Sequence, residues 1–324
     1  MHKNLSRAGS LLALVAVASC ADIAPPVAPM MSVSAPARST SAESSGEVAL
    51  VNPYLEQLNA ELEASGSDMR VIKAELLMDG NGWDGASSTL VIADDRYRGI
   101  GAEWVPGDPR RGGRIGVNYR VTQNLQPVTR DADGTNTRLV PYAQLDTQIE
   151  EGMSAWRNES CSAPITRVPF AAGADITHFG WYPTSVFRSL VGGPSGDNII
   201  GVTLSSIYIN NLVDRIPTDI DRNGKADLAR SQILYNARFR WGSNGAPNVV
   251  DFYSIITHET GHALGLGHFG KVFVTRQALS DGSISISDLK YAPYAIMNAV
   301  YVTGRNELAG TDHSSFCQIW AGVK

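Results

Sequence analysis

His258-Glu259-Thr260-Gly261-His262-Ala263-Leu264-Gly265-Leu266-Gly267-His268 is the stretch on which the reading of this chain turns. An α-helix advances about 3.6 residues per turn, so His258 and His262 fall one turn apart on one face and can offer two imidazoles to a single ion. Glu259 stands beside them. His268 comes too late to share that face unless the helix stops and the chain turns back. Gly265 tolerates the positive φ that such a reversal needs, and Gly267 loosens the same turn. Three neutral nitrogens at about 2.0–2.1 Å leave one tetrahedral position of a zinc ion open, which separates a catalytic zinc from a closed structural one. The chain holds six His in 324 residues, so three at this spacing around a Glu argue for a metal centre. Its expected ligands are His258, His262 and His268, its cofactor one Zn2+, and its catalytic carboxylate Glu259.

Working outward, the helix carrying this stretch is expected from about Val250 to Leu264, with Asp251 near its positive end. Upstream, Leu145, Ile149, Met153 and Trp156 form one stripe of a helix between Ala143 and Arg157, a pattern of core packing. Ile115, Val117, Tyr119 and Val121 alternate with Gly116, Asn118 and Arg120, the cleanest strand signal in the chain. Further strands are expected at Ile165 to Phe170, Ile199 to Ile209 and Gln232 to Arg240, and a last helix at about Asp312 to Ala321. Before them, Asn52-Pro53 offers a helix start leading into Tyr54 to Ala64. Arg70 to Met78 and Thr89 to Ala93 read as two strands joined by the turn residues Asp79-Gly80-Asn81-Gly82. The breakers Pro106, Gly107, Pro109, Gly112 and Gly113 then suggest a boundary. The fold class is α+β: a small α+β N-terminal unit over residues 51–112 and a catalytic domain over residues 113–324.

Met1 to Cys20 begins with His2, Lys3 and Arg7, continues through an apolar run from Leu11 to Val17 and ends in small residues, the pattern of an export signal rather than a membrane span. Val17-Ala18-Ser19-Cys20 resembles the lipobox of bacterial lipoproteins, in which the Cys is lipidated; an ordinary secretory signal accounts for the same residues. Residues 21–50 are rich in Pro, Ala and Ser and read as a disordered tether. The expected location is the cell envelope, held there by a lipid on Cys20, or the exterior. Cys161 and Cys317 either pair, as suits an exported protein, or remain two buried thiols. A net charge of -5 without a basic block gives no electrostatic footprint for nucleic acid.

The run His258-Glu259-x-x-His262-x-x-Gly265-x-x-His268 is the metzincin pattern, and residues from about 113 to 324 resemble the matrixin branch of that family. The helix ending in Trp156, Ala174-Asp175-Ile176, Leu308 with Asp312, and Trp320 with Gly322 each resemble matrixin elements. Ala295-Ile296-Met297-Asn298 resembles the Met-turn, with Met297 beneath the ligands. The resemblance implies a twisted mixed sheet, an active-site helix and a small C-terminal subdomain. It also implies a zinc endopeptidase acting on protein or peptide substrates as a monomer, with water activated at zinc and Glu259 as general base. Residues 269–294 exceed the matrixin equivalent and suggest an insertion beside the cleft. Asp108 faintly resembles the switch aspartate of astacin pro-segments, a turn residue being the plainer account. Tyr301 follows the Met-turn at a spacing unlike that of the astacin tyrosine. Asp219, Asp221, Asn223 and Asp227 offer alternating oxygens suited to Ca2+, although Arg230 stands where an EF-hand has Glu, and a solvated turn explains them equally. Two rival functions stay open: a surface adhesin or binding module with a structural zinc, and a zinc amidase acting on cell wall.

Overall fold

The computed structural model describes residues 53–78, 89–93, 102–122, 142–191, 194–211, 213–242, 250–268, 295–297 and 307–320. The expected signal and tether with Cys20, the turn at 79–82, the 269–294 insertion and Tyr301 lie outside them.

The protein is mixed α+β. Ten strands are described: β1 Met69–Met78, β2 Thr89–Ala93, β3 Ala102–Glu103, β4 Val117–Val121, β5 Ile165–Arg167, β6 Ile176–Tyr182, β7 Ile199–Tyr208, β8 Ala226–Asn236, β9 Trp241–Gly242 and β10 Val250–Asp251. The helices are α1 Pro53–Ala64, α2 Tyr142–Arg157, α3 Thr184–Val191, α4 Phe252–Ala263 and α5 Gly310–Trp320. Eight strands share one sheet in the order β2-β1-β7-β8-β6-β4-β5, with β3 added against β8. Its β5, β4, β6 and β8 run parallel to one another, whereas β7, β1 and β2 add antiparallel steps.

The stripe Leu145, Ile149, Met153 and Trp156 of α2 is fully buried, as its three- and four-residue spacing requires of a helix pressed on a core. Strand β4 departs from its sequence pattern. Alternation suggests one solvated face, yet all five residues are buried. The polar face is covered because its side chains find partners. Asn118 exchanges hydrogen bonds with Asp175, each 2.8 Å, and the Arg120 guanidinium donates to the carbonyls of Phe170 and Ala172 at 3.0 and 2.9 Å.

The expected boundary near residue 112 separates nothing, because residues Val51–Lys324 form one compact unit. Strand β1 pairs along nearly its whole length with β7, so the N-terminal helix and strands extend the main sheet. The Gly- and Pro-rich run is anchored by buried cations and rings instead of acting as a linker. Arg111 reaches the Asp175 carboxylate at 3.2 Å and the Val105 carbonyl at 2.9 Å, while its guanidinium lies over the Trp104 ring. At the other end of the chain, Cys161 and Cys317 form a disulfide with Cα atoms 5.3 Å apart, joining the chain just after α2 to α5.

Candidate metal centre

Helix α4 begins on a short parallel ladder in which Val250 pairs with Trp241. Asp251 is its N-cap, in an extended conformation, with its carboxylate accepting the Ser254 N–H at 3.0 Å, the arrangement that satisfies an orphan donor of a first turn. Phe252 packs its ring 5.0 Å from both Trp181 and Trp241, fixing the helix start on the sheet. From there every residue from Ser254 to Ala263 is buried. His258 and His262 therefore project from a helix that is held on all sides.

The helix ends where the sequence requires it to. Leu264 N–H donates back to Thr260 O, Gly265 N–H to His262 O at 3.0 Å, and Leu266 N–H to Gly261 O at 3.0 Å. Gly265 takes φ +100°, a region costly for any residue with a Cβ. This reversal brings His268 back to the helix face. The Nε2 atoms of His258, His262 and His268 then lie 3.0, 2.9 and 3.2 Å from one another. Bonds of about 2.0–2.1 Å to one tetrahedral ion would separate such nitrogens by roughly 3.3–3.4 Å, so the cluster is within a few tenths of an ångström of a metal's demand.

The tautomers follow from the partners. His258 Nδ1 faces the Ile296 carbonyl at 2.7 Å and His262 Nδ1 the Leu266 carbonyl at 2.9 Å. A carbonyl only accepts, so both Nδ1 atoms carry the proton and both Nε2 atoms present lone pairs inward. Burial lowers the His258 pKa to about 4 and holds those of His262 and His268 well below the ordinary imidazole range. Neutral imidazoles with converging lone pairs repel one another unless a cation lies between them. The cluster fits a metal ion, which His258, His262 and His268 could hold together.

Glu259 points to the neighbouring strand. Its Oε2 lies 2.6 Å from the Thr203 hydroxyl on β7, and a Cβ placed on Gly201 would stand 3.1 Å from its Oε1. That Oε1 is buried and has no hydrogen-bond partner among the described residues. Burial pushes the pKa up to about 8, with the Glu75 charge adding and the Thr203 hydrogen bond opposing; a dication held by the three histidines would draw it down again.

Beneath the helix, Met297 is fully buried and in close contact with Gly261, at whose position a Cβ would collide with the Met297 Sδ. The turn holding Ile296 and Met297 is clamped by Asp312 of α5, whose carboxylate accepts the N–H groups of Ile296 at 2.8 Å, Met297 at 3.1 Å and Ala309 at 2.8 Å. Trp104 donates its indole N–H to Ala263 O at 2.8 Å, satisfying a carbonyl at the helix end. The sequence reading missed Glu75, Thr203 and Gly201. A lone Glu inside an apolar strand was the available sign of the first. The other two carry no local signal, because only the sheet register brings them to Glu259.

Two further expected sites stay apart from this centre. Asp108 caps the short 3-10 turn Pro109–Arg111 and pairs with Arg110 at 2.7 Å, and it is not among the groups that converge on the three histidines. The switch-like role is therefore not supported by its position. Asp219, Asp221 and Asp227 lie within 4.8 Å of one another, yet their oxygens are engaged: Asp227 with Arg110 at 2.6 Å and Thr218 at 2.6 Å, Asp219 with the N–H groups of Asn223 and Gly224. Asn223 points its amide at Asp221 at 3.1 Å. The three carboxylates nevertheless form a group that could hold a cation.

Comparison with protein-family models and with curated proteins returns no match to this chain.

Proposed function

We propose that the protein is a zinc-dependent endopeptidase of the metzincin type, matrixin-like in its catalytic part, acting on proteins or peptides. The observation that carries this reading is the convergence of three imidazole Nε2 atoms within 3.2 Å at a helix that also carries Glu259, a buried carboxylate with an unpartnered oxygen. When bound, zinc supplies Lewis acidity toward a substrate carbonyl and toward water. The chain's residues do the rest. Glu259 takes up a proton at Oε1 and releases it to the departing amine nitrogen, while Thr203 holds the opposite oxygen so that the carboxylate keeps one orientation. The Ile296 carbonyl accepts the His258 Nδ1–H, and Met297 packs beneath Gly261 of the same helix. A purely structural zinc, as in the adhesin reading, gives no use for a buried, half-unpartnered Glu at this place. The export signal and Cys20 extend the proposal to a monomer attached to the cell envelope through a lipid.

The test is Glu259→Gln. It is expected to keep one zinc per chain and to lose casein cleavage by about 10²–10⁴-fold, the usual contribution of a positioned general base. Replacing any of His258, His262 or His268 by Ala removes the zinc instead. Undiminished cleavage by Glu259→Gln, or full zinc in a His268→Ala chain, would refute the assignment.

A further inference from the structure

The metal centre has a neighbour from far away in the chain. In the ladder between β1 and β7, Glu75 stands opposite Thr203, the residue whose hydroxyl holds Glu259. Directly opposed residues share a face of the sheet, so Glu75 lies on the side that faces α4. Its carboxylate is almost wholly buried, with Oε2 2.8 Å from Lys73 Nζ and 3.4 Å from His262 Nδ1, close to both but hydrogen-bonded to no described residue. A buried carboxylate in an apolar strand is costly unless it meets positive charge. Lys73 provides part of it from the partly exposed side. Among the described residues the carboxylate's other contact of this kind is the Nδ1–H dipole of the neutral His262, whose Nε2 is free to bind a cation.

We propose that Glu75 is a positioning residue of the metal centre: from beside the Nδ1 edge of His262, away from the metal, it supplies negative charge that polarises this ring and offsets the cation. This inference rests on the reading of the three histidines as a zinc site. The Nδ1–H of His262 already donates to Leu266 O at 2.9 Å, and a carboxylate on the same edge strengthens the polarisation that makes Nε2 a better ligand. The geometry separates this role from a block of the site. A blocking carboxylate would stand on the Nε2 side, whereas Glu75 lies by Nδ1 and is not among the atoms that converge with the three histidines. Strand β1 is also held firmly. Asn59 bonds Val71 in both directions at 2.9 and 2.8 Å, and Ala74 and Leu76 are fully buried. Strand β1 thus stands beside the centre as part of the main sheet.

The experiment uses the full chain stripped of metal and titrated with Zn2+ against a competing chromophoric chelator. Wild type is compared with Glu75→Gln, Glu75→Ala and the control Glu63→Gln, an exposed carboxylate paired with Arg215. Both Glu75 variants are expected to bind zinc roughly 10–100-fold more weakly, as loss of a carboxylate behind a histidine ligand does, with the control within about twofold of wild type. The visible spectrum of the Co2+-loaded protein should shift in the Glu75 variants alone, a change that mere loss of stability would not produce in the cooperatively folded Glu75→Gln chain. Zinc affinity unchanged in both variants overturns the proposal. So does tighter zinc with faster casein cleavage, which would make Glu75 a block. If zinc loosens while neither wild type nor variant cuts casein, the positioning role stands and the peptidase reading falls.

Discussion

Gly261 lies inside α4, where Ala is ordinarily better than Gly by about 0.8–1.0 kcal/mol. Here the added methyl has nowhere to go. It would collide with the Met297 Sδ and stand 3.0 Å from both Met297 Cε and Trp156 Cζ2. Neither neighbour gives way easily: the Met297 backbone is tied to Asp312 at 3.1 Å and the Trp156 indole N–H to Thr257 O at 2.9 Å. Overpacking a tight core costs about 1–3 kcal/mol, so Gly261→Ala should lose up to about 2 kcal/mol net of the helix gain. At about 2–4 °C per kcal/mol, the melting temperature should drop by up to about 8 °C. The measurement is thermal unfolding of the metal-free protein, because bound zinc would mask the effect by mass action. Met297→Ala alone should cost about 2–5 kcal/mol. In the double variant the new methyl occupies part of the space that Met297 vacates, so the two costs should fall short of additive by about 1 kcal/mol or more. A rise in melting temperature for Gly261→Ala, or strict additivity in the double variant, would refute the packing of Met297 under the metal-binding helix.

The other expectations concern the scaffold. Cys161 and Cys317 are 156 residues apart, so removing their bond by Cys161→Ser with Cys317→Ser should cost about 2–5 kcal/mol by freeing the unfolded chain; a urea midpoint unchanged from wild type would show that the bond constrains little. His178 is wholly buried between Tyr235 and Met153, and burial lowers its pKa to about 3. The unfolded imidazole titrates near 6.5, so below that pH the unfolded chain binds a proton the folded one refuses. Stability from this residue is full above pH 6.5 and is lost as pH falls toward 3, by about 2 kcal/mol at pH 5. Urea unfolding of metal-free protein at pH 7 and 5 should show a smaller drop for His178→Gln; an unaltered drop would place the titrating group elsewhere.

What could be read in the sequence was whatever depends on neighbours along the chain. The helical spacing of His258 and His262, the turn at Gly265 and the cap at Asp251 are local, and α4 occupies Phe252–Ala263 within the expected span. The Thr89–Ala93 strand has the expected bounds for the same reason. Partners distant in sequence were invisible. Strand β8 begins at Ala226, not near Gln232, because Asp227 is neutralised by Arg110; locally that residue reads as part of a polar loop. The run from Pro106 to Gly113 looks like a linker for a similar reason. Its Arg111 and Asp108 are interior only because Asp175 and Arg110 meet them. Glu75 escaped notice because its significance lies in a register with Thr203 that alternation within β1 does not encode.

That register also bears on the order in which the chain acquires structure. Strand β1 leaves the ribosome early, yet its partner β7 and the helix it faces come much later: Met69 is matched to Tyr208, and Met78 to Ile199. Long-range pairing of this kind is slow, because loop closure must precede the contacts that reward it. The hairpin with β2 can form early, but a two-stranded hairpin alone is marginal in water. A stalled or truncated chain lacking β7 would therefore leave the apolar residues of β1 open to wrong partners. Late assembly of β1, β7 and α4 would make completion of the metal centre coincide with completion of the sheet.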